Sequence, residues 1–118
     1  MSYRVSLVGK NSGLPVEVEN HEEGGTYVLG GVSEATLNIT YNYGAVFSLV
    51  DADYGGLEER LHGVHAKDSV PWLESMVERL GTQRYRDYWA PTPGNAGYAL
   101  SILLSWAKAN PDALWEVS

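Results

Sequence analysis

The sequence predicts an α+β domain in which an antiparallel sheet of about four to five strands carries two main helices on one face. Three features carry that expectation. Apolar and polar residues alternate with a period of two through much of 1–43, two amphipathic segments at 68–81 and 92–110 have helix start and stop signals, and a short strand at 113–117 follows them. Strands, then helices, then one returning strand is an α+β order rather than the alternation that builds a parallel sheet. The 118 residues hold no internal repeat, low-complexity tract or linker, which makes 1–118 a single domain.

Tyr3, Val5 and Leu7 alternate with Arg4 and Ser6, the pattern of a half-buried strand, and Gly9 to Gly13 turns the chain. After Pro15, Val16 and Val18 alternate with Glu17 and Glu19; proline has no N–H for a ladder, which places this strand at an edge. Asn20 to Gly25 reads as a polar loop, Thr26 to Leu29 as a short strand, and Gly30-Gly31 as its end. The clearest strand is Thr36 to Asn42. There Leu37, Ile39 and Tyr41 point one way into the core, while Asn38, Thr40 and Asn42 form an uncharged polar face for water or a partner.

Between 44 and 67 the pattern is irregular. Ala45 to Val50 reads as a helical turn or a buried segment, and Leu57 to His62 as a short helix terminated by Gly63. Asp68 or Ser69 caps the next helix, which tolerates Pro71 in its first turn, aligns Val70, Leu73, Val77 and Leu80 with Met76, and stops at Gly81. Thr82 to Pro91 forms a loop. The last helix is capped by Thr92 with Pro93 first, and its core stripe is Ala96, Ala99, Leu100, Leu103 and Ala107. Ile102, Leu104 and Trp106 widen that stripe, so this helix is either central or meets a second copy of the chain. Leu114 to Val117 is a strand for a sheet edge or for a place beside the Leu37 strand.

Composition narrows the function. No cysteine is present, which removes disulfides, Cys-ligated metals and thiol nucleophiles together. The first ten residues lack the apolar run of a signal peptide and no segment reads as a membrane span, so a cytoplasmic location without membrane association is expected. The net charge of −7 is N-terminal: residues 1–59 carry 2 basic and 9 acidic side chains, and residues 60–118 carry 6 of each. That sign opposes direct binding to nucleic acid, which needs clustered cations, and leaves a protein as the expected partner.

The candidates for chemistry each meet a plainer reading. Asp51-Ala-Asp53-Tyr-Gly55-Gly56 begins like a calcium loop, but its fifth position is Gly and its twelfth is His62, so two ligands are missing. His62 and His65 are separated by the helix-ending Gly63, and His21 among Glu19, Glu22 and Glu23 reads as a solvated loop. Gly9-Lys10 lacks the upstream glycine and the following helix of a phosphate loop. No nucleophile elbow or triad spacing occurs, and Glu58 and Glu59 are adjacent and face different directions. The sequence therefore assigns no catalytic residue, metal or cofactor. What stands out is Tyr85, Arg86, Tyr88 and Trp89 in one loop, aromatic residues beside arginine as in a protein-binding hot spot. The competing reading has Tyr88 and Trp89 plug the junction between two helices. A second candidate is the polar strand face of Asn38, Thr40 and Asn42, joined by Asn95 at a helix start where free amides could hold an anion.

Asn38-Ile-Thr-Tyr-Asn-Tyr43, Leu61 with Gly63, Ser69-Val-Pro-Trp-Leu-Glu74 with Leu80-Gly81, and Asp87-Tyr-Trp-Ala-Pro-Thr-Pro-Gly-Asn-Ala96 through Leu100, Leu103-Leu104, Pro111-Asp112 and Trp115 form a connected pattern. Over about two-thirds of the chain it resembles a family of small proteins without established activity found in bacteriophages, prophages and their bacterial hosts. Val64 and Gly97 stand where that pattern has basic residues, so no phosphate-binding role passes to those positions. The resemblance implies a phage or mobile-element accessory protein acting in the host cytoplasm. Three functions follow: a non-enzymatic binder or inhibitor of a host protein, a self-associating homodimer through Ile102 and Trp106, or a small-ligand or nucleotide-binding protein.

Overall fold

A computed structural model describes residues 2–22 and 31–118. Along them run β1 (Ser2–Val8), β2 (Glu17–His21), β3 (Val32–Glu34) and β4 (Thr36–Thr40). A 3₁₀ turn at Tyr41–Tyr43 leads into α1 (Gly44–Val50), then α2 (Leu57–Leu61), α3 (Ala66–Leu80), α4 (Pro93–Ala109) and β5 (Leu114–Val117). The fold is α+β with antiparallel strands. They divide into a three-stranded sheet of order β4-β1-β5 and a separate ribbon of β2 and β3. The strand expected at Thr26–Leu29 lies outside the described residues, and β3 is a strand that the sequence pattern did not mark.

β1 is the centre of the main sheet. Val5 is opposite Leu37 on one side and Val117 on the other, and Leu7 is opposite Trp115. These side chains join Phe47, Leu73, Met76, Leu100 and Leu103 in one buried cluster, so α1, α3 and α4 share a core with the sheet. Burying each such side chain contributes about 1.5–3 kcal/mol. The opposite face of the sheet holds a buried polar pair, with Ser6 Oγ donating to Thr36 Oγ1 at 3.2 Å.

α3 begins at Ala66, two residues before the expected caps, and its N-cap His65 makes no side-chain capping bond. The chain leading into β5 replaces the cap. Ala66 N–H donates to Ala113 O at 2.8 Å and Lys67 N–H to Pro111 O at 3.0 Å, which pairs two amides that a helix start leaves open. Asp68 and Ser69 are therefore helical, and Pro71 sits inside the helix rather than in its first turn. Ser69 Oγ donates to Ala66 O at 2.7 Å and accepts Trp115 Nε1–H at 2.8 Å.

α4 begins as expected, with Thr92 accepting from Asn95 N–H and Pro93 at the first turn. It packs directly against α3. Two glycines permit a close crossing: a Cβ on Gly94 would stand 1.8 Å from Gln83 O, and one on Gly97 1.8 Å from Gly81 O. The backbone leaving α3 thus lies on the first turns of α4, which holds the intervening loop near the sheet. No helix among the described residues is long and apolar enough to cross a membrane.

Candidate functional site

The polar end of β4 and the loop after α3 meet, so the two groups of candidate residues occupy one region. β4 ends at Thr40, two residues earlier than alternation predicts, because Thr40 Oγ1 accepts Asn42 N–H at 3.2 Å and turns the chain into the 3₁₀ segment. Thr40 is buried, Asn38 half-buried, and Asn42 and Tyr41 are exposed, so no continuous polar face runs along the strand.

From that end three contacts grip the loop. Asn42 Nδ2 donates to Trp89 O at 3.0 Å. The Tyr43 hydroxyl donates to Tyr88 O, and the Tyr88 hydroxyl to Asn38 O. Tyr43 and Tyr88 meet edge to face at 5.8 Å, and Tyr88 and Trp89 at 5.2 Å. Burial pushes the Tyr43 hydroxyl up to about 12, with the Asp87 carboxylate adding to the effect and Arg84 opposing it. Tyr88 is raised as well, chiefly by burial. Both hydroxyls are therefore neutral donors to carbonyls at ordinary pH, not groups poised for proton transfer.

Asn95 grips the loop from below. Its Oδ1 accepts Tyr85 N–H at 2.7 Å, and its Nδ2 donates to Asp87 O at 2.9 Å and Ala90 O at 3.0 Å. Its own N–H is bonded to Thr92 Oγ1 at 3.1 Å, and Ala96 N–H to Thr92 O at 3.1 Å. The amides of Asn95 and Ala96 are thus engaged within the chain and are not free for an anion. Of the eight candidate residues, Asn38, Thr40, Asn42 and Asn95 shape the loop through groups already bonded. Tyr85, Arg86 and Trp89 are presented outward, with Tyr85 60% and Trp89 40% exposed. Tyr88 does both, filling the junction while carrying Trp89 on its edge.

Under the loop lies a cavity of about 320 Å³, lined among the described residues by Tyr85, Arg86, Tyr88 and Asn95 together with residues outside the eight candidates. These are Asn20, His21 and Glu22 at the end of β2, Tyr43, Arg84, and Tyr98 and Ile102 of α4. The α4 contribution had a signal, since 95, 98, 99 and 102 follow helical spacing on one face. His21 had none. Its ring packs 4.9 Å from that of buried Trp106, and its Nε2 lies 2.7 Å from Glu34 O. Trp106 is thereby inside the molecule and not on a face open to a second copy.

Elsewhere, Asp51 is a structural knot. Its Oδ2 accepts Trp72 Nε1–H at 2.9 Å and pairs with Arg60 Nη2 at 2.7 Å, and these hydrogen bonds and the cation hold its carboxyl below the usual range. His62 Nδ1 accepts Val117 N–H at 3.0 Å. Among the described residues no cluster of three His, Asp or Glu could hold a metal ion. In comparisons with known proteins, no family model, curated protein or solved structure matches the chain.

Proposed function

We propose that this domain is a non-enzymatic binding or inhibitory accessory protein whose contact surface is the loop from Thr82 to Pro91, directed at a host protein. One observation carries the reading: Trp89 stays 40% exposed in a loop whose backbone is fixed from both sides by Asn42, Tyr43 and Asn95. A large ring held ready in a bonded loop loses little conformational freedom on contact, which is the property of an interface anchor. Tyr85 and Arg86 beside it complete the composition that protein interfaces favour. The resemblance of the sequence to phage-associated proteins supports a host protein as the target, and the acidic charge speaks against nucleic acid.

The test is affinity capture from a bacterial lysate with the wild-type chain and with Trp89→Ala and Tyr85→Ala, both checked for unchanged circular dichroism. The expected result is one protein retained by the wild type and lost by both variants, with affinity for that purified protein reduced about tenfold or more. Retention by both variants, or no capture, would overturn the proposal.

A further inference from the structure

The outward face of the loop leaves the cavity beneath it unexplained. Its floor is apolar and deeply buried, formed by Leu37, Tyr43 and Ala99, with half-buried Tyr88 and Ile102 as walls. Its exposed lining sets two arginines, Arg84 and Arg86, against one carboxylate, Glu22, a positive balance. Arg84 lies over the Tyr98 ring at 4.7 Å, which orients the guanidinium by its face and leaves its N–H edges for a fork to an anion. Arg86 lines the same opening.

Neither arginine pairs with a carboxylate among the described residues, whereas Arg60, Lys67 and Lys108 each do. In a chain with 15 acidic and 8 basic side chains, two cations on one cavity without a carboxylate partner among the described residues need a reason. An anion brought by a ligand supplies it, since a forked arginine contact to carboxylate or phosphate is charge-assisted and directional. Aromatic walls favour a planar ring through edge and face contacts. The volume of about 320 Å³ sits at the small end for ligand sites, which fits one ring or a fused pair.

We propose that this cavity binds a small organic anion, a planar aromatic ring carrying a carboxylate or phosphate, with the ring against Leu37, Tyr43 and Ile102 and the anion on Arg84 and Arg86. The site shares Tyr85 and Arg86 with the partner surface but does not rest on that reading, because Leu37, Tyr43 and Ile102 take no part in the partner contact. Indole-3-acetate, 4-hydroxyphenylacetate and adenosine monophosphate are titrated into the full chain and followed by amide and methyl NMR, with neutral indole-3-acetamide as control.

The expected result is saturable shifts from at least one anionic probe, confined to the cavity lining: Leu37, Tyr43, Arg84, Tyr85, Arg86, Tyr88, Tyr98, Ala99 and Ile102. Affinity then falls about tenfold or more for the amide and for Arg84→Gln combined with Arg86→Gln, as loss of a charge-assisted contact requires. Ile102→Trp fills the cavity and abolishes binding; the arginine variant, altering only exposed side chains, decides the matter should Ile102→Trp not fold. No shift from any probe up to about 10 mM, shifts mapping elsewhere, or equal binding of the amide would each overturn the proposal.

Discussion

Tyr43 shows how one side chain can serve both the core and the loop. Its ring is fully buried against Phe47, at 6.4 Å between centroids, while its hydroxyl reaches Tyr88 O across 45 residues of chain. The hydroxyl must be protonated to make that bond, and burial disfavours its anion. Its pKa is therefore higher in the folded protein, about 12, than the ordinary 10.0 of an unfolded chain. A raised folded value means that this contribution to stability is complete below pH 10 and is lost as pH rises through about 12. Alkaline unfolding, followed by near-ultraviolet circular dichroism alongside tyrosinate absorbance, is expected to begin in that window. Tyr43→Phe lowers stability at neutral pH by about 0.5–1.5 kcal/mol, as a lost hydrogen bond does, and makes the alkaline loss shallower. An unchanged alkaline profile in the variant would refute this account.

The junction of α3, loop and α4 depends on what Gly94 and Gly97 lack. A methyl group at either would overlap a backbone carbonyl, which cannot rotate away as a side chain can. Gly97→Ala is accordingly expected to cost about 1–3 kcal/mol or more despite the better helix propensity of alanine, read as a lower urea midpoint with unchanged slope. A gain in stability would show that the crossing is looser than described. This junction also marks where the sequence stopped being legible. α4 could be read to its ends because Thr92, Pro93 and Asn110 act locally. The start of α3 could not, because its amides are satisfied by Ala113 and Pro111, more than forty residues away. The same distance effect governs the site. Tyr85 and Trp89 could be singled out by composition, whereas the bonds that assign Asn42 and Asn95 to support, and the packing of His21 on Trp106, exist only once the chain is folded.

The topology makes the cooperative unit span almost the entire chain. β5 is an edge strand of four residues, yet it covers Val5 and Leu7 of the central strand, and Arg4 and Ser118 exchange backbone hydrogen bonds at 2.8 and 3.0 Å. Trp115 binds two separate segments, its backbone pairing with Gly63 N–H and Val64 O and its indole N–H with Ser69, while its ring is 1% exposed in the core. Val117 N–H closes onto His62 Nδ1. β5 thus joins β1, the α2 terminus and α3, and none of these contacts has a local substitute. Removing Leu114–Ser118 would expose the second edge of β1, orphan the Ser69 and His62 acceptors, and leave a cavity where a tryptophan stood, a change that by itself costs about 3–5 kcal/mol. That is comparable with the total stability of a small domain. The shortened chain is expected to keep helical far-ultraviolet circular dichroism but lose near-ultraviolet signal, bind a hydrophobic dye, and unfold without a sharp urea transition. Trp115→Phe, which keeps a buried aromatic ring but loses the pyrrole part of the indole and the bond to Ser69, should remain cooperative and lose about 1–3 kcal/mol. A sharp transition in the shortened chain would show that the sheet closes without β5, and that the long-range contacts converging on Trp115 are not what holds the helices to it.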